Sequence, residues 1–293
     1  MEYSTGNSST GDFEMGRIQK ALERAKLERQ TVHTRVSLSD TAIRRKLEVT
    51  PDIRAGDGKR LADMKLHSMR PSIDTLHHNR VVSSLFDSQA NAIDAYKMLR
   101  TKTLRRLVSN QWRFLAVTSP TRGEGKTLTS LNLALSISQD PNFDVILVDA
   151  DLRSPSVHTQ LGIKPDVGLF EYLEGNAVLN DVLLSPGVKG LGIIPNMHAI
   201  ENSSEALTSS RMQELMTSLR TLSSAVIVIV DMPPLVVDDV LAFAPMVDSL
   251  MLVFRAGVTS RADAAAAREM TTDLNVIGCV MNGVHGGTTG TYY

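Results

Sequence analysis

Lys126 and Thr127 close the segment Arg122-Gly-Glu-Gly-Lys-Thr127, which continues into Leu128. These residue types suit phosphate binding. Gly123 and Gly125 let backbone N–H groups curl around phosphate oxygens, and Glu124 between them adds one such group. A lysine at the position of Lys126 reaches the β- and γ-phosphates, and the Thr127 hydroxyl can ligate Mg²⁺. The usual eight-residue frame is incomplete, because Pro120 stands where its first glycine would be. Three carboxylates stand at the ends of apolar runs: Asp149 and Asp151 after Val145-Ile-Leu-Val148, and Asp231 after Ala225-Val-Ile-Val-Ile-Val230. A carboxylate is a ligand for a hard cation, and a second one beside it can accept a proton from an attacking hydroxyl. Together these residues describe a site for a nucleoside triphosphate with Mg²⁺.

The elements that must position them are legible around each motif. Phe114 to Val117 is an apolar β-forming run before the glycine loop, and Leu128, Leu131, Leu133 and Leu135 give a mostly apolar helix after it. Strand, glycine loop, Lys-Thr and helix form the phosphate-binding arrangement, whereas a surface turn before an ordinary helix would not require the flanking strand. Further strands are predicted at Val145 to Val148, Leu191 to Ile194, Ala225 to Val230, Leu250 to Phe254 and Val276 to Met281. Helices are predicted over 204–222 and 261–274. Alternating strands and helices specify an α/β fold with a doubly wound, mostly parallel sheet of the P-loop NTPase type. In such a sheet the strands end on one edge and ligands bind there, so the three aspartates converge on the loop.

Before the first strand, residues 89–108 form a helix with Ala92, Ile93, Tyr96, Leu99 and Leu107 on one side. Its other side carries Lys97, Arg100, Lys102, Arg105 and Arg106, either solvated or meeting acidic groups of a neighbouring subunit. Residues 1–11 are rich in Ser, Thr, Gly and Asn and are expected to be disordered. Met15, Ile18, Leu22 and Ala25 then share a helical stripe behind Asp12 as cap, which either docks a partner or packs on itself, or is a solvated helix with no such role. Residues 31–88 lack periodicity, are interrupted by Pro51, Gly56, Gly58 and Pro71, and read as a linker ordered in part at most. The expected organisation is therefore an N-terminal helix and linker over 1–88, a nucleotide-binding domain over 89–285, and a flexible tail over 286–293.

The chain has 293 residues, 42% of them hydrophobic, enough for one sizeable α/β core with extra segments. A formal net charge of -1 gives no argument for nucleic acid. The one cysteine, Cys279, lies in an apolar run and reads as a core residue. Nothing approaches a membrane span and the N-terminus has no secretory apolar region, so a cytoplasmic location is expected.

Three segments resemble the nucleotide motifs of the bacterial tyrosine autokinases of capsule and exopolysaccharide assembly. They are Thr118-Ser-Pro-Thr-Arg-Gly-Glu-Gly-Lys-Thr127, Ile146-Leu-Val-Asp-Ala-Asp-Leu-Arg-Ser-Pro155 and Ile229-Val-Asp-Met-Pro-Pro234. Gly168-Leu-Phe-Glu-Tyr-Leu-Glu-Gly175, Val253-Phe-Arg-Ala-Gly-Val-Thr259 and Gly278-Cys-Val-Met-Asn282 fit as well. The resemblance implies a nucleotide site formed by residues 122–128 with Asn282, and Mg²⁺ held by Thr127, Asp149 and Asp231. Lys126, Asp149 and Asp151 would be catalytic, one aspartate activating the tyrosine hydroxyl. The substrate would be Tyr292 and Tyr293 in the tail of a neighbouring subunit in a ring or dimer. Such kinases work with a membrane-spanning polysaccharide chain-length regulator and a tyrosine phosphatase, which would place this chain at the inner face of the plasma membrane through a partner.

Three departures from that family stand out. Arg122 replaces a proline before the loop glycine. The oligomerisation motif Glu-x-x-Arg-x-x-Arg appears as Asp94-Ala-Tyr-Lys97-Met-Leu-Arg100, which loses one guanidinium fork. The tail carries two tyrosines where relatives have several. Two other functions share these motifs: an ATP-hydrolysing dimerisation switch of the partitioning or division-site type, and a nucleotide-binding regulator of polysaccharide export that catalyses nothing.

Overall fold

The computed structural model of the chain describes residues 58–81 and 90–284. Among them one eight-stranded sheet is formed by β1 (His67–Ser68), β2 (Phe114–Thr118), β3 (Asp144–Asp149), β4 (Leu184–Ser185), β5 (Leu191–Ile194), β6 (Val226–Asp231), β7 (Ser249–Arg255) and β8 (Val276–Asn282). Its order is β1-β4-β5-β3-β6-β2-β7-β8, and only the β4–β5 pairing is antiparallel. The helices are α1 (Ile73–His78), α2 (Ala90–Ser109), α3 (Lys126–Ser138), α4 (Val157–Leu161), α5 (Leu169–Leu173), α6 (Leu179–Val182), α7 (Ser203–Thr208), α8 (Ser210–Arg220), α9 (Asp239–Phe243) and α10 (Arg261–Met270).

The central strands β2, β3 and β6 are buried along their whole length. Runs such as Val226-Ile-Val-Ile-Val-Asp231 have no polar alternation, as expected for strands covered on both faces. Successive side chains alternate faces. Val226, Val228 and Val230 join a cluster with Leu215 and Leu219 of α8, which leaves Ile227 and Ile229 for the opposite face. There α3 packs against β2, β3 and β6, and α2 packs on α3. The sheet is therefore wound on both sides, as the alternating elements predict.

The differences from the sequence reading have local causes. Part of the stretch read as linker is built into the fold. β1 adds to β4 in parallel, Arg60 grips Asp144 at the start of β3 at 2.8 and 2.9 Å, and Asn79 Nδ2 donates to the Gln160 carbonyl at 2.8 Å. A two-residue strand has no periodicity to read, which is why β1 and β4 escape detection. The helix expected over 204–222 is two helices. Ser209 is extended, and its hydroxyl accepts from the Met212 N–H at 3.2 Å, so it caps α8 rather than continuing α7. The helix expected to reach 274 stops at Met270, where the Thr271 hydroxyl donates to the Ala267 carbonyl at 2.8 Å. Cys279 is not a core residue. It is exposed, because β8 is an edge strand with part of its surface uncovered. The helix expected from Asp12 and the tail with Tyr292 and Tyr293 lie outside the described residues.

Candidate active site

The glycine loop joins β2 to α3. Gly125 is the N-cap of α3 in the left-handed region (φ 88°), and a Cβ there would collide with the Asn282 side chain. Glycine is thus required twice, for conformation and for space. Lys126 begins the helix, and its ammonium lies 2.5 Å from Asp151 Oδ2, 3.4 Å from Thr127 Oγ1 and 3.9 Å from Asp231 Oδ2. A cleft of about 360 Å³ opens beside it, lined by Arg122, Gly123, Gly125, Thr127 and Leu128 from the loop and helix. Asp151, Arg153, Ser156, Pro234 and Val237 form other parts of its wall.

Two carboxylates stand side by side beneath this cleft. Asp149 and Asp231 are register partners on neighbouring strands and are fully buried. Asp149 Oδ2 accepts from the N–H groups of Ser156 (3.0 Å) and Val157 (2.9 Å), and Asp231 Oδ1 accepts from Ser130 Oγ (3.0 Å). Asp149 Oδ1 and Asp231 Oδ2 have no hydrogen-bond partner among the described residues. Burial, and then Asp231, push the Asp149 carboxyl well above the usual carboxylate range, against the Val157 N–H that favours the anion. Burial raises Asp231 as well, with Lys126 the largest opposing influence. Burial alone would lower the Lys126 ammonium, but Asp231 and then Asp151 outweigh it and hold its pKa above the ordinary lysine value. One ammonium thus faces three carboxylates, of which Asp149 keeps a buried oxygen without a hydrogen bond and Asp231 one that meets the Lys126 ammonium at 3.9 Å. That donor set fits a hard divalent cation.

The loop is held from the side by residues at the ends of β7 and β8. Arg255 Nη1 donates to the Gly123 carbonyl at 3.0 Å, and Asn282 Nδ2 donates to the Glu124 carbonyl at 2.9 Å. The Glu124 side chain is fully buried and turned away from the cleft, accepting from Thr121 Oγ1 (3.1 Å) and Thr259 Oγ1 (2.6 Å). Glu124 therefore keeps its side chain out of the cleft, and Asn282 braces the loop. Ser130 and Ser156 carry no sequence signal, whereas Arg255 and Thr259 stand in a matched segment with no role of their own assigned. Arg255 ends a strand at the loop's edge, the same signal that marks Asp231. Arg153 was noted only as part of a motif. It forms a forked pair with buried Asp239 at 3.0 and 3.3 Å, and Asp239 also accepts from Ser203 (2.6 Å) and Ser204.

Residues 115–291 match the family described as the CobQ/CobB/MinD/ParA nucleotide-binding domain, more than half of the chain. Tyrosine-protein kinase YwqD of Bacillus subtilis is 31% identical over 207 residues, covering 70% of this chain and 86% of that protein. The chain belongs to the bacterial tyrosine-protein kinases. Tyrosine-protein kinase Etk of Escherichia coli is also 31% identical, over 197 residues that make up 66% of this chain but only 27% of that longer protein. The solved kinase domain of Etk superposes with a TM-score of 0.63 at 27% identity, covering 79% of this chain and 95% of the domain. The kinase domain of VpsO gives 0.59 at 30% identity, with 68% and all of it covered (100%). The kinase family and the P-loop fold expected from the motifs are thereby shown, together with a nucleotide-binding domain. No helix among the described residues is long and apolar enough to cross a membrane.

Proposed function

We propose that this chain is an ATP- and Mg²⁺-dependent tyrosine autokinase that phosphorylates Tyr292 and Tyr293 in the tail of a neighbouring subunit. The observation that carries the reading is the buried pair Asp149 and Asp231, each with an oxygen that accepts no hydrogen bond, beside Lys126 at the start of α3. Thr127, Asp149 and Asp231 would hold Mg²⁺, directly or through water. The ion would neutralise charge on the β- and γ-phosphates. The N–H groups of 123–128 and the positive end of α3 bind phosphate oxygens, and Lys126 adds a charge-assisted contact. Phosphates draw Lys126 away from Asp151, which then faces the cleft as an unpaired carboxylate. A tyrosine hydroxyl attacks the γ-phosphorus, its proton passes to Asp151, and the bond to the β-γ bridging oxygen breaks to release ADP. Asp149, held by two backbone N–H groups beside Asp231, suits metal binding better than proton transfer.

The tail follows β8, whose end at Asn282 touches the loop. Eleven further residues could span roughly 35 Å if fully extended, a reach sufficient for Tyr293 to enter another subunit's site. We further propose a cytoplasmic homo-oligomer, acting in capsule or exopolysaccharide assembly beside a membrane-spanning chain-length regulator and reset by a tyrosine phosphatase. Incubation with ATP and Mg²⁺, followed by mass spectrometry of the tail, is the test. Phosphate on Tyr292 and Tyr293 that disappears in Tyr292→Phe/Tyr293→Phe is the expected result. Undiminished phosphotyrosine in that variant would move the acceptor to Tyr3, Tyr96 or Tyr172. ATP hydrolysis with no phosphotyrosine in the parent protein would replace the kinase reading with an ATP-driven switch.

A further inference from the structure

At the sheet edge opposite β1, β8 pairs with β7, and no strand among the described residues pairs with its outer side. Such an edge presents unpaired N–H and C=O groups, a template on which another chain can add. α2 runs beside it, and the two bound a cleft of about 630 Å³. Met251 and Ile277, both buried, form part of an apolar floor. Lys102, Arg105 and Arg106 line the cleft from α2, all exposed, and no acidic residue lines it. Among the described residues these three cations have no ion pair and no side-chain hydrogen bond. Their neighbours on the same helix differ, since Lys97 pairs with Asp94 at 3.1 Å and Arg100 donates to the Ser136 carbonyl at 2.9 Å. Arg106 reaches over the strand itself, where a Cβ on Gly278 would lie 3.0 Å from its Nη1.

We propose that the β8 edge and this cleft dock an extended acidic segment of a partner protein. The segment adds as a further strand on β8 and sets its carboxylates against Lys102, Arg105 and Arg106. Main-chain bonds along an open edge supply affinity, and pockets for alternate side chains supply selectivity. Same-face side chains on a strand repeat every ~7 Å, and one turn of helix rises about 5.4 Å, so cations on two adjacent turns of α2 can meet two successive carboxylates. The floor is recessed behind the cations, which suits a narrow chain and not a flat lipid surface. This site goes beyond the kinase reading and shares no residue with the phosphate loop.

The test uses the full chain and a fluorescein-labelled synthetic peptide alternating glutamate with valine and threonine. A second peptide of equal charge carries N-methyl groups on alternate amides and cannot form the ladder. The expected result is saturable binding that weakens with added salt, with slowed amide exchange over residues 276–282. Lys102→Glu/Arg106→Glu should weaken it at least ten-fold while ATP binding stays unchanged. Equal binding of the N-methylated peptide, unaltered exchange in β8, or unchanged affinity in the variant would each overturn the proposal. So would a preference for phosphatidylglycerol vesicles over the peptide.

Discussion

Lys126 is the residue on which charge balance at the site depends, because it is the cation among Asp149, Asp151 and Asp231. Lys126→Met should therefore remove the proposed contact to the phosphates and leave three carboxylates facing one another. Phosphoryl transfer should fall by roughly 100-fold or more, the scale of losing one well-placed electrostatic group. Phosphotyrosine formation and binding of a fluorescent ATP analogue both report on it, and survival of both would place the site elsewhere. Asp149 carries a second, less obvious consequence. Its carboxyl holds a proton more tightly in the folded than in the unfolded chain, because burial and Asp231 raise its pKa. Stability from such a group is complete below the unfolded carboxylate pKa and is lost as pH rises towards the folded value. At pH 7.5 the nucleotide-free protein should thus melt at a lower temperature than Asp149→Asn, which has no proton to lose. The difference should vanish below about pH 4, while the variant's Mg²⁺ affinity falls. Thermal scans at both pH values decide it, and equal melting temperatures at pH 7.5 would show that the buried charge costs nothing.

At the scale of elements, α2 is the helix whose basic face was expected to meet the next subunit. Two of those cations have partners within the chain. Arg100 ends on the Ser136 carbonyl of α3, so reversing it would disturb the α2–α3 contact as well as any assembly. Lys97 forms an exposed pair with Asp94, worth about 0.5 kcal/mol or less. Lys97→Glu is therefore the cleaner probe. It should lower the sedimenting mass of the unphosphorylated protein by like-charge repulsion while leaving its denaturation midpoint close to the parent's. An unchanged mass would take Lys97 out of the interface.

For the molecule as a whole, the segment before α2 is part of the sheet's support. Asp144 is buried at the start of β3 and receives two bonds from Arg60 and one from the Leu61 N–H at 3.1 Å. Arg60→Ala would leave that carboxylate with the backbone donor, and a poorly satisfied buried carboxylate costs about 1–2 kcal/mol. Urea denaturation should show the loss in midpoint with an unchanged slope. A midpoint equal to the parent's would mean that residues 58–81 rest on the domain without supporting it.

The sequence by itself determined the fold class and picked out most of the residues that line the candidate site. Uninterrupted apolar runs specify doubly covered strands, an aspartate at a strand's end must lie at the ligand edge, and Gly-x-Gly-Lys-Thr admits few uses between a strand and a helix. These signals are local, or follow from the one rule that parallel strands end together. What the tertiary structure alone decided was which groups meet. Asp149 and Asp231 lie 82 positions apart and become neighbours because β3 pairs with β6 in register. Arg255, Thr259 and Asn282 reach the glycine loop because β7 sits beside β2 and β8 beside β7. The same strand order leaves β8 at the edge, which turns Cys279 from an expected core residue into an exposed one. Strand order is set by how helices pack over the sheet as a whole, and no window of residues carries it.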